Sequence, residues 1–220
     1  QLQDICVQVN IYKRKRFSMV KIIKSLILPF TAVSRYNKRM FNDINNLIND
    51  GQIDLIIIDS LQLVFNCPMK NKVYKILTMH NIEHESFKSI SKNSNNIIKK
   101  IMYYIESRKL ELFQEKFINR KCIKGYTFIS LDEMRKFIKK YNKKIKNCIW
   151  LPQGYEIKKI SATKNFSSKN IVFTGQMNYE PNVEGIIWFT EKIFPYIKKV
   201  IPNCTFFIVG KNPTKKIINL

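Results

Sequence analysis

Two histidines, six glycines and seven arginines are all that 220 residues contain of those types, and the five cysteines make an odd number. Cys6, Cys67, Cys122, Cys148 and Cys204 are widely scattered and never fall in C-x-x-C spacing, so neither a disulfide framework nor a zinc ribbon is indicated. Thiols spread in this way fit a reducing cytosol. No eighteen apolar residues run uninterrupted, which excludes an apolar membrane-spanning helix, and the start carries no recognisable signal peptide. Internal repeats and nucleic-acid-binding motifs are absent.

Acidic residues are also few, 16 against 39 basic ones, giving a net charge of +23. Such an excess ordinarily points to a polyanionic partner, nucleic acid or an anionic membrane. However, 32 of the basic residues are Lys, alongside abundant Asn and Ile, the bias of an AT-rich coding sequence. Readout of bases leans on Arg. The charge is therefore read first as a solvated lysine surface, with no specific nucleic acid expected and an anionic membrane surface kept as a candidate partner.

Apolar residues make up 45% of the chain, enough to bury a core in one large or two small domains. Ile5–Ile11 reads as a strand. The basic cluster Lys13-Arg14-Lys15-Arg16 precedes an amphipathic helix over Phe17–Phe30, its apolar positions Met19, Val20, Ile22, Ile23, Leu26 and Ile27 interleaved with Lys21 and Lys24. That helix either packs its apolar face on a sheet or lies on an anionic membrane, and packing is the commoner case. A second helix is expected over Arg35–Asn49, closed by Asp50-Gly51. Apolar runs at Asp54–Asp59 and Val73–Thr78 have the character of buried parallel strands. A long helix follows from Ser94 to Asn119, with Ile98, Ile101, Met102, Ile105, Leu110 and Phe113 inward. Gly125–Ser130 is a strand, Ser130 caps a helix over Leu131–Tyr141 with Glu133 as its capping-box partner, and Cys148–Leu151 is the next strand.

The run at Val73–Thr78 leads straight into Met79-His80-Asn81-Ile82-Glu83-His84, which holds both histidines. The letters satisfy the H-x-x-E-H pattern of zinc hydrolases, but that chemistry needs one continuous helix carrying both imidazoles, and here a strand runs into His80. No metal site is assigned. Histidines that merely complete loop hydrogen bonds are the blander alternative.

Near the other end, Ile171-Val172-Phe173 closes on Thr174-Gly175, Pro181 opens a helix, and Thr205-Phe206-Phe207-Ile208-Val209 closes on Gly210. This is a βαβ unit of a parallel sheet, with Gly175 and Gly210 expected to make sharp turns at the strand ends and to flank one crevice.

FTGQMNYEPNVEGIIWF, the later Pro195 and Pro202, FFIVGKNP, His80-Asn81-x-Glu83, and Pro152-Gln153-Gly154 together resemble the family-4-type glycosyltransferases, especially bacterial polysaccharide and sugar transferases. The resemblance runs from about Ile53 to Leu220, with Ser130 and Glu115 where the pattern has a serine and a glutamate. It implies an α/β fold of GT-B type, two Rossmann-like parallel-sheet domains facing across a cleft. Residues 1–152 would be the incomplete acceptor-side domain lacking its first strand region, 153–169 the hinge, and 170–220 the start of a truncated nucleotide-sugar domain. The implied reaction is metal-independent, anomer-retaining transfer from a nucleotide-diphosphate sugar, a substrate and not a cofactor, to a glycan or lipid-linked acceptor in surface polysaccharide biosynthesis. His80 would act catalytically, and Gly175, Gln176, Met177, Asn178, Gly210 and Lys211 would line the donor crevice. Gln176, Met177 and Asn178 depart from relatives that carry Arg and Lys in that loop. A cytoplasmic protein, peripheral on the inner face of the membrane, is expected. The chain is expected to be a fragment cut at both ends, inactive alone because the family's acidic donor residues would lie beyond Leu220. The competing reading is a non-catalytic basic module docking on nucleic acid or anionic membrane.

Overall fold

The structure, a computed structural model, describes residues 6–13, 18–94, 96–154 and 169–220. It divides into two compact units, Gln1–Tyr155 and Glu156–Leu220, each with its own apolar cluster. Most of the stretch expected to be the hinge, residues 155–168, lies outside the described residues, as do Ile5 and three of the four residues of the basic cluster.

In the first unit β1 (Leu55–Asp59), β2 (Tyr74–Met79), β3 (Gly125–Phe128) and β4 (Cys148–Trp150) lie side by side in chain order, all parallel. Parallel neighbours cannot be joined by a tight hairpin, so each connection must carry the chain back along the sheet. A 3-10 helix at Leu61–Asn66 helps to join β1 to β2, helices α4 (Glu83–Asn93) and α5 (Ile97–Arg120) join β2 to β3, and α6 (Leu131–Tyr141) joins β3 to β4. One consequence is that all four strands deliver their carboxyl ends to the same edge. The architecture is α/β with a parallel sheet, compatible with a Rossmann-like domain.

Inside, Ile58, Leu77, Met79, Tyr126 and Phe128 from the strands meet Leu110, Phe113, Phe117 and Phe137 from the helices. Phe137 is the hinge of an aromatic group, its ring 5.1 Å from that of Tyr126, 5.0 Å from Phe128 and 4.9 Å from Tyr141. Lys75 is buried as well, and its ammonium donates to Asn71 Oδ1 and to the Val73 carbonyl, partners without which a buried charge would be costly.

Several sequence expectations change. No strand forms over residues 6–11, where Val7 and Ile11 stand in solvent. The helix expected over Phe17–Phe30 is shorter, α1 (Met19–Ile27), and a separate α2 (Phe30–Arg35) follows Pro29. α3 spans Lys38–Asn49, capped by Asn37, and ends at Asp50-Gly51 as expected, with Gly51 at the positive φ of 66° that glycine adopts without strain. β1 buries one face only, Ile56 and Ile58 turning inward, so Leu55 and Ile57 of its apolar run are exposed on the other. Beyond His80 the chain makes two helices where one was expected. α4 and α5 pack as a hairpin, with Ser107 Oγ donating to the His84 carbonyl and Ser91 Oγ to that of Lys100. Of the six residues expected inward on α5, Leu110 and Phe113 are buried, but Ile98, Ile101, Met102 and Ile105 are exposed. The first half of α5 packs on α4 and not on the sheet, so its remaining faces stay open.

The second unit is β5 (Ile171–Gln176), α7 (Glu180–Trp188), α8 (Phe194–Val200), β6 (Phe206–Lys211) and α9 (Lys215–Ile218), with β5 and β6 parallel. Pro181 sits in the first turn of α7, as expected. Pro195 cannot donate the N–H that would continue the helical ladder, and a π-helical turn at Phe189–Ile193 precedes the restart as α8.

The start of α2 is held to α5 by one side chain. Glu106 of α5 accepts from the Phe30 and Thr31 N–H groups and from the Thr31 hydroxyl, each at 3.0 Å, and so satisfies the open amides at the start of α2. Hydrogen bonds to a charged group are worth about 1.5–3 kcal/mol where their loss leaves buried donors unpaired. Glu106→Ala is expected to lower the unfolding free energy by about 3 kcal/mol in urea denaturation, with Glu106→Gln in between because the amide keeps one acceptor oxygen.

Candidate functional site

The carboxyl edge of the first sheet gathers chemistry that the linear sequence keeps apart. β1 ends at Asp59 and β2 at Met79, in adjacent parallel strands, so Asp59 and His80 come side by side although 21 residues separate them. His80 Nε2 lies 2.6 Å from Asp59 Oδ1, with the two side chains 49% and 66% exposed. With Nε2–H donated to the carboxylate, Nδ1 is the nitrogen left for a ligand. It has no partner among the described residues.

Two further groups sit behind the pair. Ser60, next to Asp59, holds φ 109° and ψ 140°, in the left-handed half of conformational space that a side chain normally avoids. Its hydroxyl explains part of the cost: Oγ accepts from the Gln62 N–H at the start of the 3-10 helix and donates to Glu83 Oε1 at 3.3 Å. Strain of this kind costs about 1–3 kcal/mol and collects where ligands are held. Glu83 is buried, and its Oε2 finds no hydrogen-bond partner among the described residues. Burial pushes its carboxyl above the usual range, opposed by hydrogen bonding and by the Arg35 charge.

Ser130, at the end of β3, spends its hydroxyl on the Glu133 N–H as the cap of α6. Glu133 does not close the expected capping box. Its Oε1 accepts instead from the Ile82 N–H, which fixes the turn between His80 and α4. Glu115 does not join this edge. It lies two turns of helix past Ser107 and pairs with Lys140 at 3.7 Å, in the last turn of α6, whereas the first turn of α6 adjoins the strand ends.

The H-x-x-E-H letters do not form a zinc helix. His80 lies in the loop before α4, while Glu83 and His84 are in its first turn, so the imidazoles share no helical face. His84 is buried in the α4–α5 hairpin with Nδ1 unpartnered among the described residues, and burial holds its pKa below the usual value. Among the described residues no group of three or more His, Cys, Asp or Glu is placed to hold a metal.

In the second unit the residues expected at the donor crevice do come together, by pairing of strand ends. Gly175 lies opposite Gly210 and Gln176 opposite Lys211, and the Met177 N–H donates to the Lys211 carbonyl at 2.9 Å. The glycines do not make the expected turns; both strands continue through them. Their role is close approach: a Cβ on Gly210 would lie 1.8 Å from the Gly175 carbonyl oxygen. Met177 is also reassigned, because its side chain is in the core with Val183, Ile186 and Ile217. Gln176, Asn178 and Lys211 are exposed at this end.

Asp59 and Ser60 were not singled out from the sequence, and Glu133 was read only as a helix cap. The signal was present in the apolar run at Asp54–Asp59, since parallel pairing with the run that ends before His80 places the residues after both runs on one edge.

Comparison with known proteins found one relative, an "Uncharacterized 44.6 kDa protein in cps region" from Klebsiella pneumoniae, 27% identical over 215 residues. The match covers 95% of this chain, and the chain spans about half, 51%, of the relative's length. No family model matches, and no solved structure matches.

Two measurements check these placements. Gly210→Ala has no room for its methyl against the β5 backbone and is expected to cost about 3 kcal/mol or more in unfolding free energy, read by thermal denaturation. His84 resists protonation when folded, so the unfolded chain binds the extra proton. Stability should therefore fall as pH drops below the ordinary histidine value of about 6.5. Glu83, its pKa raised, acts in the opposite sense at lower pH. Urea denaturation of the protein and of His84→Gln at about pH 7.5 and about pH 5.5 isolates the histidine: the variant should lose less stability on acidification.

Proposed function

We propose that this chain is part of a glycosyltransferase of GT-B type that moves a sugar from a nucleotide-diphosphate sugar to a glycan or lipid-linked acceptor in surface polysaccharide biosynthesis. The observation that carries the reading is the exposed His80–Asp59 pair at the carboxyl ends of adjacent parallel strands, the edge at which such sheets bind ligands. Support of a different kind is the relative's printed location in a cps region, a name associated with capsule polysaccharide. The sequence motifs around His80 and Gly175 agree with the same chemistry.

In this reading Asp59 holds the imidazole by Nε2 and turns Nδ1 toward the sugar. Nδ1, unprotonated while Nε2–H is donated to Asp59, then accepts from a sugar hydroxyl. The second unit takes the donor. A diphosphate leaving without a metal needs preorganised N–H groups and cations, and the exposed end of the β5–β6 pair offers Lys211 and the backbone leading into α7. Side-chain contact from Met177 has no part in it, since that side chain is in the core.

The test is steady-state transfer by the full-length protein from a panel of nucleotide-diphosphate sugars to a membrane extract containing lipid-linked acceptors. His80→Ala is expected to lower kcat by about 10²-fold or more, the usual loss of one positioned hydrogen-bonding partner of the transition state. Asp59→Asn should cost about 10-fold, because the ring keeps a partner but loses the anion that orients it. His84→Ala should cost far less, its side chain being turned into the helical hairpin. Equal and small losses for His80→Ala and His84→Ala, with folding intact by circular dichroism, would leave His80 an ordinary loop histidine.

A further inference from the structure

α1 is mounted the wrong way round for a helix that belongs to a core. Its two half-buried positions are Lys21 and Ser25, one turn apart. Lys21 Nζ donates to the Ser34 and Tyr36 carbonyls at 3.3 and 3.0 Å, and the Ser25 carbonyl accepts from Lys109 Nζ of α5 at 2.7 Å. The polar stripe thus faces the protein. Met19, Val20, Ile22, Ile23, Leu26 and Ile27 face solvent at 47–82% exposure, and α1 buries no residue at all. An amphipathic helix on a folded domain normally does the reverse.

The first half of α5, joined to α1 through Lys109, adds a second exposed apolar row: Ile98, Ile101, Met102 and Ile105 recur at helical spacing, with Tyr104 beside them. Two exposed apolar rows at helical spacing, rather than apolar residues scattered singly, mark an interaction site.

Charge selects the partner. No acidic residue occurs in residues 13–27 or 97–105, while Lys13, Lys24, Lys99 and Lys100 are exposed there and Arg14, Lys15 and Arg16 precede α1 in the sequence. A second copy of so basic a face would be repelled. An anionic bilayer satisfies both features, as lysines meet lipid headgroups while the apolar side chains enter the acyl boundary and tyrosine sits between. No helix among the described residues is long and apolar enough to cross a membrane, so contact would be in the plane of the surface. We propose that the α1–α5 face is a docking surface for an anionic lipid bilayer. This stands whether or not the sugar-transfer reading does, because lipid binding is measured without donor or acceptor.

The experiment is co-sedimentation of the protein with vesicles of phosphatidylcholine alone or with about one-third phosphatidylglycerol. Binding to the anionic vesicles, weak binding to the neutral ones, and weakening as salt rises from about 0.05 to about 0.5 M are expected. Ile23→Ser with Leu26→Ser keeps the charge, alters only exposed side chains and should lower the partition coefficient about tenfold or more. Ile98→Ser with Met102→Ser should act in the same direction, and Val200→Ser, an exposed apolar site in the other unit, should change nothing. The proposal is overturned by absence of binding to anionic vesicles. It is equally overturned if binding is indifferent to the serine substitutions, which would leave only a lysine surface, or if the protein self-associates in sedimentation and those substitutions make it monomeric.

Discussion

Parallel pairing of β1 through β4 is the constraint on which the first unit depends. A parallel strand cannot be reached by a two-residue turn, so every connection must return the chain along the sheet, and in doing so it supplies much of the helix that buries it. The same geometry fixes where chemistry can occur. Because all strands point one way, the residues that follow them share one edge, and Asp59, Ser60, His80 and Ser130 meet there from three separate parts of the chain. The two-stranded unit repeats the device, with Gln176 and Lys211 opposite each other where β5 and β6 end.

Around that edge, carboxylates turned inward fix the loops. Glu133 reaches from α6 to the Ile82 amide, Glu83 takes the hydroxyl of a conformationally strained Ser60, and Glu106 caps α2 from the middle of α5. Each spans a gap in sequence of between 23 and 76 residues, and each satisfies a group that would otherwise be costly to bury.

Polar anchoring also explains the outward apolar face of α1. Once Lys21 and Lys109 have tied the helix through backbone carbonyls, the remaining positions of the helix must point away from the domain. Hydrophobic periodicity identifies a helix from either side, because it reports that apolar residues share a face and not which way that face is turned.

Local features were legible for this reason. The apolar runs of β1, β2, β5 and β6, the caps at Ser130 and Asp50-Gly51, and the helix start at Pro181 are each set by a few consecutive residues whose conformational preferences act within one turn or one strand. The sequence by itself thus determined an α/β chain with parallel strands and put His80 at a strand's end. It could not determine what His80 touches, since the Asp59 contact is made by register between strands 21 residues apart. Nor could it decide that Gly175 and Gly210 lie opposite each other within strands, that Met177 belongs to the core, or that Glu115 faces Lys140 away from the strand ends. Those outcomes belong to tertiary structure because they depend on which surfaces meet, and burial, charge pairing and steric room between distant segments are properties of the meeting and not of either segment alone.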